Sequence, residues 1–155
     1  MNDVDTIDRK ILAALQRDAR QSMAAIGDAV GLSASACSRR VAQLQRDGRI
    51  VRFAAELSPE LLDAATTVIV HVSLASQSES SLRAFEAAVG RCREVVTCDL
   101  VSGGVDYTLR IAVRDLAGYE RLHREVLSAL PGVARLESNF VLRPIVSRGQ
   151  PVIYK

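Results

Sequence analysis

Apolar positions in the first fifty residues recur at helical spacing in three blocks. Ile7, Ile11, Leu12 and Leu15 fall on one face of a helix that starts near Asp5 or Thr6, and Asp5 and Asp8 suit the positive end of its dipole. Met23, Ile26 and Val30 form the inner face of a second helix, with Ser22 as N-cap and an end near Val30. Gly31 stops it, because glycine takes the left-handed conformation of a helix C-terminus without steric cost. Only Leu32 then precedes Ser33, the N-cap of a third helix running to Gly48. Two helices joined by so short a glycine turn predict a helix-turn-helix, with Gly27 small enough to let them approach closely.

Within the third helix Cys37, Val41 and Leu44 repeat at i, i+4 and i+7 and face inward. The opposite face carries Ser35, Arg39, Ala42, Gln43 and Arg46, with Ser38 and Arg40 on its flanks. It is small near its N-terminal end and cationic beyond, the profile of a helix that enters a DNA major groove. Arg49 to Phe53 alternates with period two and predicts a strand, a wing with Arg49 and Arg52 on its polar face against backbone phosphates.

A different pattern follows Pro59. Val68, Val70, Val72 and Leu74 alternate in a strand from Thr67 to Leu74. Ser80 to Val89 reads as a helix with Leu82, Phe85 and Val89 inward, and Val95 to Ser102 as a strand. Gly103-Gly104 predicts a hairpin turn, with positive φ at both glycines, into a strand from Tyr107 to Val113. Asp115 caps a last helix whose core side holds Leu116, Tyr119, Leu122, Val126, Leu127 and Leu130; Pro131-Gly132 ends it, and Val133 to Leu142 is a fourth strand. The order β-α-β-β-α-β is the ferredoxin-like arrangement, two helices on one face of a four-stranded antiparallel sheet. The fold class is therefore α+β: a winged helix-turn-helix over residues 1–57, a linker at 58–66, a ferredoxin-like domain at 67–143 and a tail at 144–155. Ile69 and Val101 are expected on the sheet's uncovered face, which predicts a homodimer that buries it.

Charge sharpens the first half of this picture. Five arginines lie between Arg39 and Arg52 against one acid, Asp47, whereas acids and bases balance from Leu57 onward. A compact basic stretch on a balanced chain fits a phosphate-facing surface. No run of residues approaches a membrane span, and the charged first twenty residues do not form a signal peptide, so a cytoplasmic protein is expected. Cys37, Cys92 and Cys98 have no paired spacing, and His71 and His123 stand apart from other metal-ligand types, so neither a disulfide nor a metal is expected. No cofactor is expected either. No nucleophile-base or paired-carboxylate constellation is visible, which makes an enzyme the poorest reading beside a ligand-responsive regulator or an architectural DNA-binding protein.

The sequence resembles the Lrp/AsnC, or feast/famine, family of transcription regulators over nearly its whole length. The matching stretches are Ile7-Asp8-Arg9-Lys10-Ile11-Leu12, Leu15-Gln16-Arg17-Asp18-Ala19-Arg20 and Val30-Gly31-Leu32-Ser33, followed by Cys37, Arg40-Val41 and Leu44. In the second half they are Val101-Ser102-Gly103, Asp106-Tyr107, Asp115-Leu116, Tyr119-Glu120 and Leu130-Pro131-Gly132-Val133. The resemblance implies a regulator of double-stranded DNA, dimeric through the sheet and often assembled further to octamers. It also implies a small-molecule effector, an amino acid or related metabolite, held near the loop from Ser102 to Tyr107. There the amides of Gly103 and Gly104 suit a carboxylate and Asp106 suits an ammonium, with Ser138 a further candidate. Three departures stand out. Ala34 occupies the place of a common proline, and Gly104 and Val105 replace an acid and an aromatic.

Overall fold

The computed structural model of the chain describes residues 4–55, 57, 61 and 66–146, which fall into two compact units divided after residue 56. The first unit is helical: α1 (Thr6–Arg17), α2 (Met23–Val30) and α3 (Ala34–Arg46). Each helix begins on a side chain that accepts from a free first-turn amide: Asp5 from the N–H of Asp8, Ser22 from Ala25 and Ser33 from Ala36. One apolar cluster holds them together, with Ile11, Ile26 and Cys37 wholly buried and Ala14, Leu15, Val41 and Leu44 nearly so.

The α2–α3 turn follows from two glycines. Gly31 ends α2 at φ 76°, in the left-handed region. Gly27 lies under the turn, where an added Cβ would meet the carbonyl oxygen of Leu32 at 2.6 Å. Gly27→Ala therefore pushes α3 off α2, and we expect a loss of about 1–3 kcal/mol in the stability of this unit, as for other overpacked sites. Thermal denaturation followed by circular dichroism checks it. An unchanged transition would mean that the turn yields without cost.

The expected wing strand is not found: residues 51–55 carry no secondary structure, and no ladder partner lies beside them among the described residues. The chain after α3 is engaged differently. The N–H groups of Arg49 and Ile50 both donate to the carbonyl of Leu44, at 2.8 and 3.0 Å, and close the helix C-terminus. Ile50 turns inward against the helical core while Val51 is 88% exposed. Period two is thus present without a strand, since a ladder needs a second strand and none lies beside this run among the described residues.

The second unit contains β1 (Thr66–Leu74), α4 (Glu79–Val89), β2 (Val95–Leu100), β3 (Tyr107–Val113), α5 (Leu116–Glu125) and β4 (Val133–Phe140). The strands form one antiparallel sheet in the order β2-β3-β1-β4, the ferredoxin-like topology. Val68, Val70 and Val72 of β1 and Tyr107, Leu109 and Ile111 of β3 pack with Phe85 and Val89 of α4 and Tyr119 and Leu122 of α5 in one buried core. Phe85 and Tyr107 stack with ring centroids 4.6 Å apart.

Three expectations need correction here. The last helix does not run to Leu130: it stops at Glu125, and a separate 3-10 turn follows at Leu127–Ala129; Leu116, the first residue of the helix, stands 65% exposed rather than in the core. The connection between β2 and β3 is no two-residue hairpin. It spans residues 101–106, closed by the N–H of Val101 on the carbonyl of Asp106, and of its two glycines only Gly103 has positive φ, at 132°. The uncovered sheet face is mixed rather than apolar. Ile69 lies between Arg110 and Asn139, and His71 between Thr108 and Glu137, while Val101 lies beyond the end of β2. The linker at 58–66, apart from Leu61 and Thr66, and the tail from residue 147 lie outside the described residues.

Candidate nucleic-acid interface and effector loop

Burial of Cys37, Val41 and Leu44 fixes the rotation of α3 about its axis, and Ser35, Ser38, Arg39, Gln43 and Arg46 are consequently exposed together. Ser33 caps the helix in the absence of proline at Ala34, and its hydroxyl lies 3.2 Å from that of Ser35. The polar side chains farther along are linked: Arg46 donates to the amide oxygen of Gln43 at 2.6 Å, and Gln43 donates to Asp47 at 2.7 Å. All three are exposed, so these bonds can be exchanged for base edges or phosphates with little net change. Burial pushes the Cys37 thiol above its ordinary pKa, so it is a protonated core group.

Arg40 is placed differently from its neighbours. Its guanidinium reaches across to α1 and lies 2.7 Å from Asp5 and 2.8 Å from Asp8. The Asp8 N–H and then the Arg40 guanidinium hold the Asp5 carboxyl below the ordinary carboxylate range. Two carboxylates around one guanidinium leave no excess positive charge there, so Arg40 acts first as a brace between α1 and α3. Arg49 and Arg52 are exposed after α3, and the fold brings Arg17 and Arg20 to the same open groove, floored by Leu12, Leu15 and Phe53. Sequence inspection did not single out Arg17 and Arg20 for this surface, because some thirty residues separate them from Arg49 and Arg52.

In the second unit Ser102, Gly103 and Gly104 are exposed on the β2–β3 loop. Asp106 is not: it is 8% exposed. Its N–H donates to the carbonyl of Val72 at 2.9 Å, and its carboxylate reaches farther along β1 to accept from the N–H of Leu74 at 2.7 Å. β3 begins only at Tyr107, so this carboxylate takes the place of a strand partner for a buried amide. Its other oxygen accepts from the side-chain amide of Gln77 at 2.7 Å. Asp106 is thus a structural closure of the loop, and Gln77, on the segment between β1 and α4, is a neighbour that neither periodicity nor spacing reveals.

Ser138 is not brought to this loop. It pairs with Val70 on the β4 side of β1, whereas Asp106 lies on the β3 side, and its hydroxyl is bonded to that of Tyr119. The Tyr107 hydroxyl donates to Glu86 at 2.9 Å, and burial, reinforced by that bond, pushes its pKa up to about 12. It remains a donor at neutral pH.

Among the described residues no helix is long and apolar enough to cross a membrane. Residues 4–45 match the AsnC-type helix-turn-helix domain, and residues 67–151 match the Lrp/AsnC ligand binding domain. The leucine-responsive regulatory protein of Salmonella typhimurium is 38% identical over 97% of this chain and 92% of its own length. The Bkd operon transcriptional regulator of Pseudomonas aeruginosa is also 38% identical, over 97% of this chain and 99% of its own. Among solved structures, an AsnC family regulator from Agrobacterium tumefaciens superposes with a TM-score of 0.87 at 34% identity, covering 95% of each chain. A transcriptional regulator from Neisseria meningitidis, solved as a complex with L-Met, superposes at 0.85 with 31% identity over 94% of each. These relatives are helix-turn-helix regulators of transcription and not enzymes. The chain belongs to the Lrp/AsnC family, and it is a DNA-binding regulator of transcription.

Proposed function

We propose that this regulator reads its operator with Ser35, Ser38, Arg39, Gln43 and Arg46 of α3, and that Arg49 and Arg52 hold the flanking phosphates. The observation that carries this reading is the rotation of α3: its apolar side is sealed in the core, and a contiguous small, amide and cationic face is left outward. Arg40 contributes by holding α3 on α1 rather than by touching bases. The domains are the helix-turn-helix at 1–57 and the regulatory domain at 67–143, joined by the linker at 58–66. The working form is a homodimer or a multiple of it in the cytoplasm, which gives an operator with dyad symmetry.

The regulator responds to an amino acid bound at the exposed Ser102–Gly104 loop, and the L-Met complex of the Neisseria meningitidis relative supports this class of ligand. The amides of Gly103 and Gly104 are not covered by side chains and suit the α-carboxylate. Ser138, on the far side of β1, is not included.

The test is selection of duplexes from a random-sequence pool, followed by mobility shifts against random DNA with and without L-methionine or L-leucine. We expect the selected duplex to bind about 10³-fold more tightly or better, and the amino acid to change affinity or assembly. Binding that is equal on both duplexes would overturn the recognition assignment. A response to none of the amino acids would leave an architectural DNA-binding protein as the reading.

A further inference from the structure

Asp106 is a nearly buried carboxylate with an unusual set of partners. Among the described residues no cation lies within ion-pair distance of it. A buried charge is ordinarily paired, because removing it from water without a counter-charge is costly. Here the two oxygens differ in how they are held. Oδ2 is fixed by the Leu74 N–H, inside the fold. Oδ1 is covered only by the neutral amide of Gln77, which is itself exposed.

The Gln77 side chain hangs on a short segment, Ala75–Ser78, between the end of β1 and the first turn of α4. Among the described residues its amide has no partner but Asp106, so a rotation about its own side-chain bonds uncovers Oδ1 without moving the backbone. The exposed amides of Gly103 and Gly104 lie a few residues away in the same loop.

We propose that Gln77 is the gate of the effector site: its amide holds, on Asp106 Oδ1, the position that the α-ammonium of an amino acid takes when it binds. This rests on the amino-acid reading given above and adds the residue that competes with the ligand. An ammonium supplies the missing counter-charge, and a charge-assisted bond is stronger than the neutral one it replaces. The exchange leaves the Leu74 bond untouched, so the sheet edge stays closed while the Ala75–Ser78 segment is released. Release of that segment is how occupancy would be felt at the start of α4.

The experiment uses the full chain and L-methionine and L-leucine as probes, by calorimetry, with N-acetyl-L-methionine as a probe lacking the ammonium. Gln77→Ala removes the competitor, and binding should tighten several-fold, up to about tenfold, the usual net worth of one hydrogen bond. Gln77→Lys places a tethered ammonium at the same position. It should abolish amino-acid binding and, because the segment stays tied to Asp106, hold DNA affinity at the value of the ligand-free parent. N-acetyl-L-methionine should bind neither parent nor variants. If Gln77→Ala binds as the parent does, or more weakly, Gln77 is not a gate, although the effector reading survives because the parent binds. If parent and variants all bind no amino acid, that reading fails and the gate fails with it. Melting temperatures without ligand separate these outcomes from misfolding: Gln77 is exposed, so its replacement should lower them by no more than the worth of its one bond to Asp106.

Discussion

Replacing Arg39 and Arg46 together with alanine is expected to lower specific DNA affinity by about 10²-fold or more. Each side chain is exposed on the outward face of α3 and lies outside its core, so the substitution removes the proposed contacts with DNA and, within the described chain, the Arg46 bond to Gln43. Arginine to a base edge is worth about 1–3 kcal/mol, and two such losses on one face largely add. Random duplex should be affected much less, which narrows the specificity ratio. Arg40→Ala is the matched comparison. It removes a guanidinium from the same helix but one bonded to Asp5 and Asp8, so it should lower the melting temperature of the helical unit and leave the specificity ratio nearly intact. Mobility shifts on both duplexes decide. Unchanged specific affinity of the double variant would mean that another surface reads the operator.

The second large effect concerns the regulatory unit. Phe85→Ala should destabilise it by about 3–5 kcal/mol, the usual cost of removing a fully buried ring. Phe85 is 0% exposed, and its ring is the stacking partner of Tyr107, whose hydroxyl is bonded to Glu86 on the same helix. The substitution thus empties the centre of the contact between α4 and the sheet. The helical unit has its own core with no residue in common with this one, so in denaturant only the regulatory transition should move. A loss below about 1 kcal/mol would show that the neighbouring side chains collapse into the space.

The elements that were legible in sequence are those whose cause is local. Ser22 and Ser33 as caps, Gly31 as a stop, and the alternation of Val68, Val70 and Val72 each act over a few residues and stand where they were expected. What was not legible depends on distant partners. The run from Arg49 to Phe53 has the rhythm of a strand, but its first two amides close α3 and, among the described residues, no strand lies beside the rest. Arg40 has the same type and helix as Arg39, and only the approach of α1 turns it inward. In the loop, Asp106 carries a carboxylate that sequence offers to a ligand. Its bond to Leu74, thirty-two positions away, is a tertiary fact.

In the homodimer proposed above, the mixed character of the uncovered sheet face bears on which chains assemble together. A greasy face would accept any similar surface, including those of related regulators made in the same cell. Arg110, Glu137, His71 and Asn139 set among Ile69 and Ala112 make a pattern instead, since each polar group that such a dimer buries must find its complement. A paralogue with a different arrangement of charges would leave some of them unmatched, and mixed assemblies would be penalised even between folds that superpose closely. On this view the polar residues of the face act as a kinship mark, keeping separate regulatory circuits from merging while the fold beneath them stays the same.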